Sequence, residues 1–132
     1  MSSVSVNKVM LLGYLGADPE LRFTAEGKPI LSFRMATKEA WTDRGGQKQE
    51  RTEWHRIIFW KKTATQLAEI LHKGGRAFVE GTLRHREWQD RDGSKRTTTE
   101  IHADYIIAVD RKPRQSDPNE RGSYADDDPI PF

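Results

Sequence analysis

Residues 52–60 read Thr52-Glu53-Trp54-His55-Arg56-Ile57-Ile58-Phe59-Trp60, and how this stretch is read decides the fold. As a β-strand it alternates, because side chains two apart on a strand point the same way. Trp54, Arg56, Ile58 and Trp60 then share one face, and His55, Ile57 and Phe59 share the other. The first face carries two indoles with a guanidinium between them, followed at once by Lys61 and Lys62. Flat aromatics beside cations suit unpaired bases on a phosphate backbone, since every base has a stacking face and every phosphate a charge. Taken alone, the stretch also reads as a buried strand with an aromatic rim, because large aromatics are mostly core material.

Working outward, residues 4–16 predict a long first strand, with Gly13 and Gly16 marking a bulge or sharp bend. Asp18-Pro19 breaks it, Leu21-Arg22-Phe23 is a short strand, and residues 26–29 are a turn. Residues 30–37 set Leu31, Phe33 and Met35 against Ser32, Arg34 and Ala36, the pattern of a half-buried second strand. Trp41 ends that segment. Residues 42–51 are polar, contain Gly45-Gly46 and have no apolar period, which predicts a long exposed loop.

After the central strand, Ala64, Leu67, Ala68 and Leu71 recur at helical spacing. They predict one helix over residues 63–73, with Thr63-x-x-Gln66 as a capping box and His72-Lys73-Gly74 as the C-terminus. Residues 76–89 are a fourth strand on which Arg84, Arg86 and Trp88 share a face, repeating the cation–indole pattern. Asp92-Gly93 signals a hairpin turn. Residues 96–109 are a fifth strand, with Thr97, Thr99, Ile101, Ala103, Tyr105, Ile107 and Val109 expected on one side. No internal repeat is read. Five strands with one helix between the third and fourth is the order of the OB-fold, a mainly β, five-stranded Greek-key barrel that often binds oligonucleotides.

The chain of 132 residues fits one domain over residues 1–110, a disordered linker over 111–125 and an acidic tip over 126–132. Net charge is +2, unevenly spread: residues 116–132 sum to −4 and residues 1–115 to +6. The basic body suits a polyanion, and the acidic end suits a basic partner or the body itself. No apolar run is long enough to span a bilayer, and the N-terminus lacks the basic-then-apolar pattern of a secretory signal. A cytoplasmic location is the default. Cysteine is absent, which removes disulfides and Cys-based zinc sites.

At this point the chain resembles the bacterial single-stranded DNA-binding protein (SSB) family. The matching pieces are Val6-Asn7-Lys8-Val9, then Gly13-x-Leu15-Gly16-x-Asp18-Pro19-Glu20, then Thr52-Glu53-Trp54-His55-Arg56. Lys73-Gly74, Val79-Glu80-Gly81-x-Leu83-x-x-Arg86-x-Trp88 and the ending Asp-Asp-Pro-Ile-Pro-Phe follow in order. The resemblance implies an OB-fold core, no enzymatic activity, no cofactor, and assembly as a homotetramer in the cytoplasm at the nucleoid. It puts Trp41, Trp54, Trp60 and Trp88 at base-stacking positions and His55 at a subunit interface. It makes Asp126, Asp127, Asp128, Pro129, Ile130, Pro131 and Phe132 a docking peptide for replication, recombination and repair proteins. The family's linker is often longer than this one, whose roughly 14 flexible residues would span about 20 Å.

In such a site Arg56, Lys62, Lys73, Arg84 and Arg86 would neutralise phosphates and release counterions, making affinity salt-dependent. Lys73 alternatively complements the helix C-terminus. His55, His72, His85 and His102 show no metal-ligand spacing. Asp126–Asp128 could hold a cation only poorly, lacking preorganisation. An OB-fold adaptor of the primosome or RNA-binding kind would share the basic face but needs neither four stacking positions nor the acidic tip. A metal-dependent nuclease would need clustered carboxylates on the fold.

Overall fold

Leu31, Phe33 and Met35 alternate along the chain, and all three are buried while Arg34 between them is exposed. Such a strand must close its apolar face against others. The computed structural model, which describes residues 4–110, achieves this by rolling a sheet into a barrel. Its elements are β1 (Val9–Leu15), β2 (Glu20–Phe23), β3 (Pro29–Thr42), β4 (Lys48–Phe59), α1 (Ala64–Ile70), β5 (Arg76–Gln89) and β6 (Lys95–Ala108). The sheet order is β1-β5-β6-β4-β3-β2, and a further β1–β3 pairing closes five of the strands on themselves, with β2 added along β3. The β4–β6 pair is parallel and the others are antiparallel. This is the OB-fold expected from the element order.

Inside the barrel lie Leu15, Leu31, Phe33, Met35, Ile57, Phe59, Val79, Ile101 and Ala103, and α1 packs Ala64 and Leu67 onto them. Closure needs β1 to pair with β5 along one edge and β3 along the other. Gly13 makes room for this: a Cβ there would fall 2.2 Å from the Ala36 carbonyl oxygen. The bend read at Gly13 is thus a close approach of two backbones.

Five expectations are corrected. The first strand starts at Val9, not Val4; Asn7 instead pairs through its side-chain amide, donating to the Leu83 carbonyl and accepting from the Leu83 N–H, both at 2.9 Å. The long loop over 42–51 is mostly strand, because β3 runs to Thr42 and β4 begins at Lys48, leaving a tip of five residues. This arm leaves the barrel and is exposed on both faces, so no apolar period announces it.

The helix stops at Ile70, and Leu71 turns extended to bury its side chain in the core. The Thr63–Gln66 capping box does not form. Thr63 already has helical dihedrals, whereas a capping side chain reaches the N2 or N3 amide from an extended residue. Finally, a bulge at Asp104 shifts register, so that Gly81 faces Ala103 while Glu80 faces Tyr105. One extra residue inverts the alternation. Ile106 and Ala108 pack toward the core, and Tyr105 and Ile107 face outward. The expected linker over 111–125 and tip over 126–132 lie outside the described residues.

Candidate nucleic-acid interface

None of the four tryptophans is core. Trp41, Trp54, Trp60 and Trp88 are 45, 50, 51 and 41% exposed. Leaving so much indole in water is costly unless something covers it.

Cross-strand register builds a row of charges beside two of them. On the outer surface Arg34 of β3 faces Arg56 of β4, and Arg84 of β5 faces Glu100 of β6. The parallel pairing of Ile57 with Ile101 brings Arg56 alongside Glu100. The Arg56 Nε lies 3.3 Å and the Arg86 Nη2 3.4 Å from the same Glu100 oxygen, and the His102 Nε2 is 3.3 Å from the other. Glu100 is 5% exposed. Burial pushes its carboxyl pKa up, but hydrogen bonds from His102 and Arg86 and the charges of Arg86 and Arg56 outweigh that and hold it below the ordinary value. The carboxylate therefore anchors two guanidinium groups while their outer edges stay in solvent.

Indoles flank the row. Trp54 is two residues before Arg56 and Trp88 two after Arg86, each on its arginine's face. The Trp88 Nε1 donates to Thr98 Oγ1 at 2.8 Å, so the ring is held while its face stays open. The Arg34 Cζ lies over the Trp54 ring, 4.8 Å from its centroid.

The other expected residues lie apart from this cluster. Trp41 falls by register on the opposite face of the β3–β4 arm, with Thr37 and Glu39. Trp60 follows the end of β4, and Ile58, expected beside it, is buried. Lys62 leads into α1 and is exposed. Lys73 is exposed beyond α1, and its backbone N–H donates to Asp18 at 2.8 Å. His55 is half-buried and shares a 2.9 Å hydrogen bond with Thr37 Oγ1.

Both arms end in the same turn. Trp41-Thr42-Asp43-Arg44-Gly45-Gly46-Gln47-Lys48 and Trp88-Gln89-Asp90-Arg91-Asp92-Gly93-Ser94-Lys95 share Trp-x-Asp-Arg-x-Gly-x-Lys. Asp43 accepts from the Gly45 and Gln47 N–H groups, and Asp90 from those of Asp92 and Ser94. Gly46 and Gly93 both take φ of 81°. The carboxyl pKa values are lowered at both tips. Asp43 is held down by the Gln47 N–H and the Gln49 amide, and Asp90 by Arg96 and then by the Ser94 and Asp92 N–H groups. These acids are spent on turn structure. Each tip places an indole, an arginine and a lysine on one short arm. The match is visible in the sequence but too short to stand out as a repeat.

Arg34 and Glu100 were missed. Arg34 was legible only as a polar residue on an alternating strand, and its nearness to Trp54 needs the β3–β4 register. Glu100 carries no local signal, because its partners come from β4 and β5. Among the described residues no group of three or more His, Cys, Asp or Glu could hold a metal ion, and no helix is long and apolar enough to cross a membrane.

Comparison with known proteins identifies a family. The model of the single-strand binding protein family matches residues 6–117. Single-stranded DNA-binding protein 1 of Xylella fastidiosa (strain 9a5c) is 41% identical over 128 residues, covering 96% of this chain and 92% of its own. Among solved structures, the Plasmodium falciparum SSB in complex with ssDNA superposes with a TM-score of 0.75 at 33% identity, covering 83% of this chain and 100% of that one. A deletion mutant of the single-stranded DNA binding protein from Thermus aquaticus gives 0.68 at 36% identity, over 78% of this chain and 50% of that one. The chain belongs to the single-strand binding protein family, a family of binding proteins and not of enzymes.

Proposed function

We propose that this chain binds single-stranded DNA with little sequence preference. Bases stack on Trp41, Trp54, Trp60 and Trp88, and Arg56, Lys62, Lys73, Arg84 and Arg86 neutralise phosphates. The observation that carries this is the exposure of all four indoles, two of them flanking an arginine row anchored on a buried carboxylate. The presence of ssDNA on the Plasmodium falciparum relative supports it. Duplex DNA hides its base faces, so single strands win. The test is a gel shift with matched single-stranded and duplex oligonucleotides at moderate salt. Preference for the single strand is expected, and equal affinity would contradict the reading.

Assembly into a homotetramer is part of the same proposal. On the outer face of β1, β5 and β6, Met10, Leu12 and Ile107 are exposed, and Phe78 pairs with both Leu12 and Ile107. A contiguous apolar face of this kind favours a second copy. His55 is assigned to a subunit contact.

Residues 1–110 then form the DNA-binding domain, residues 111–125 a connector, and residues 126–132 a tip that docks partners. Phe132 would anchor the tip in a basic-rimmed apolar pocket, with Asp126, Asp127 and Asp128 steering. In this reading the protein works in the cytoplasm at the nucleoid, protecting single strands and recruiting replication, recombination and repair proteins.

A further inference from the structure

Trp54 does not stand away from the sheet. On β4 it faces Ala36 of β3, and beyond Ala36 the next strand carries Tyr14 of β1 at the same level. The indole crosses Ala36, which is 4% exposed beneath it, and reaches the end of β1. A Cβ placed on Gly16 would fall 2.5 Å from Trp54 Cζ3 and 2.8 Å from Cη2. Gly16 therefore leaves the space that the ring occupies. Its N–H donates to the Arg34 carbonyl at 3.0 Å, fixing that corner, and the Arg34 guanidinium lies over the same ring.

The result is a cleft of about 640 Å³ with Trp54 and Tyr14 among its walls, and with Ala36, Lys38 and Thr52 also lining it. Its volume is in the range of small-ligand sites, about 300–1,000 Å³. Tyr14 is 47% exposed, so its ring is available to the cleft. Lys38 is exposed beside these two rings, forms no ion pair among the described residues, and supplies positive charge. Two aromatic side chains, a small residue between them and a cation with no ion pair among the described residues match one ligand chemistry: a flat, uncharged ring carrying a phosphate.

We propose that this cleft seats one unstacked nucleobase of a bound single strand, stacked on Trp54 and faced by Tyr14, with Lys38 taking the adjoining phosphate. Arg34 and Gly16 are positioning residues that set the plane of the Trp54 ring. This rests on the single-strand reading above and extends it to residues off the arginine row.

The test is a mutant cycle read by oligothymidylate titration across salt concentrations, with melting curves and light scattering on every variant. Tyr14→Ala should weaken binding about 5- to 100-fold, the worth of one stacked base. Its salt slope should be unchanged, and the effect should largely vanish in a Trp54→Ala background. Lys38→Gln should make the slope shallower by about 0.7, the value of one single-strand phosphate contact. Gly16→Ala should displace the indole and reproduce the loss with no aromatic or charge removed. If Tyr14→Ala does not fold, Tyr14→Leu and Gly16→Ala make the same test.

Wild-type affinity for Tyr14→Ala would overturn the proposal, as would a loss of equal size with and without Trp54 or one that follows a change in subunit number. If the folded wild-type protein does not bind oligothymidylate at all, the single-strand reading fails too. Tight wild-type binding with an additive cycle removes only the cleft.

Discussion

The Arg56 guanidinium lies 3.3 Å from the Glu100 carboxylate, which it shares with Arg86 from the neighbouring hairpin. The acid is buried and both arginines are about half exposed. The arginines are thus oriented by the protein, and part of their charge is neutralised before any DNA arrives. Removing the acid's charge should separate those two effects. Glu100→Gln is expected to cost about 1–2 kcal/mol of stability at pH 7, discounted for the exposure of its partners. It should steepen the salt dependence of single-strand binding, because two freed guanidinium groups release more counterions. Urea unfolding and titrations at several salt concentrations measure both. Unchanged stability with an unchanged slope would mean that the pair is incidental.

The same carboxylate makes part of the stability depend on pH. Its folded-state pKa lies below the ordinary glutamate value of 4.5. A depressed pKa means that the unfolded chain binds the proton more readily. The contribution is therefore fully present above about pH 4.5 and is lost as pH falls through the folded-state pKa. The stability difference between wild type and Glu100→Gln should be constant from pH 7 to about 5 and shrink below about 4.5. Urea melts at stepped pH measure it. A difference that stays flat down to pH 3 would place the origin elsewhere.

Matched tips should respond alike to matched substitutions. Asp43→Ala removes the acceptor for the Gly45 and Gln47 amides, and Asp90→Ala removes the one for Asp92 and Ser94. Each arm should loosen while the barrel holds, since the arms lie outside the core. Amide exchange at those four positions should accelerate, with the global unfolding midpoint little changed. A cooperative loss of the whole fold would show that the arms are not separable from the barrel.

Much of the barrel was legible because its core strands alternate plainly. Leu31, Phe33 and Met35 announce β3, and Ile57 and Phe59 announce the inward side of β4. Trp54, Trp60 and Trp88 were legible as candidates because they sit beside cations on alternating strands, and Trp41 only through the family resemblance. What was hidden depended on register. The extra residue at Asp104 inverts β6 with no Gly or Pro in that strand; the glycine at the shift, Gly81, lies opposite on β5. Glu100 sits after a run of threonines, and its role follows only from the parallel pairing with β4. The β3–β4 arm was read as a loop because strands exposed on both faces carry no apolar period.

Self-association should depend on the apolar outer face of β1 and β6. Leu12→Glu or Ile107→Glu puts a charge on a side chain that is already half exposed, so the monomer should tolerate it. Light scattering is expected to show fewer subunits than in the wild type. An unchanged mass for both variants would move the contact to another face.

The most direct measurement is intrinsic tryptophan emission during titration with poly(dT) at low salt. All four indoles are exposed in the free chain. Stacked bases should quench them in a saturable way, and added salt should reverse the quench. Emission that stays constant while the protein is folded and poly(dT) is in excess would contradict base stacking on these rings.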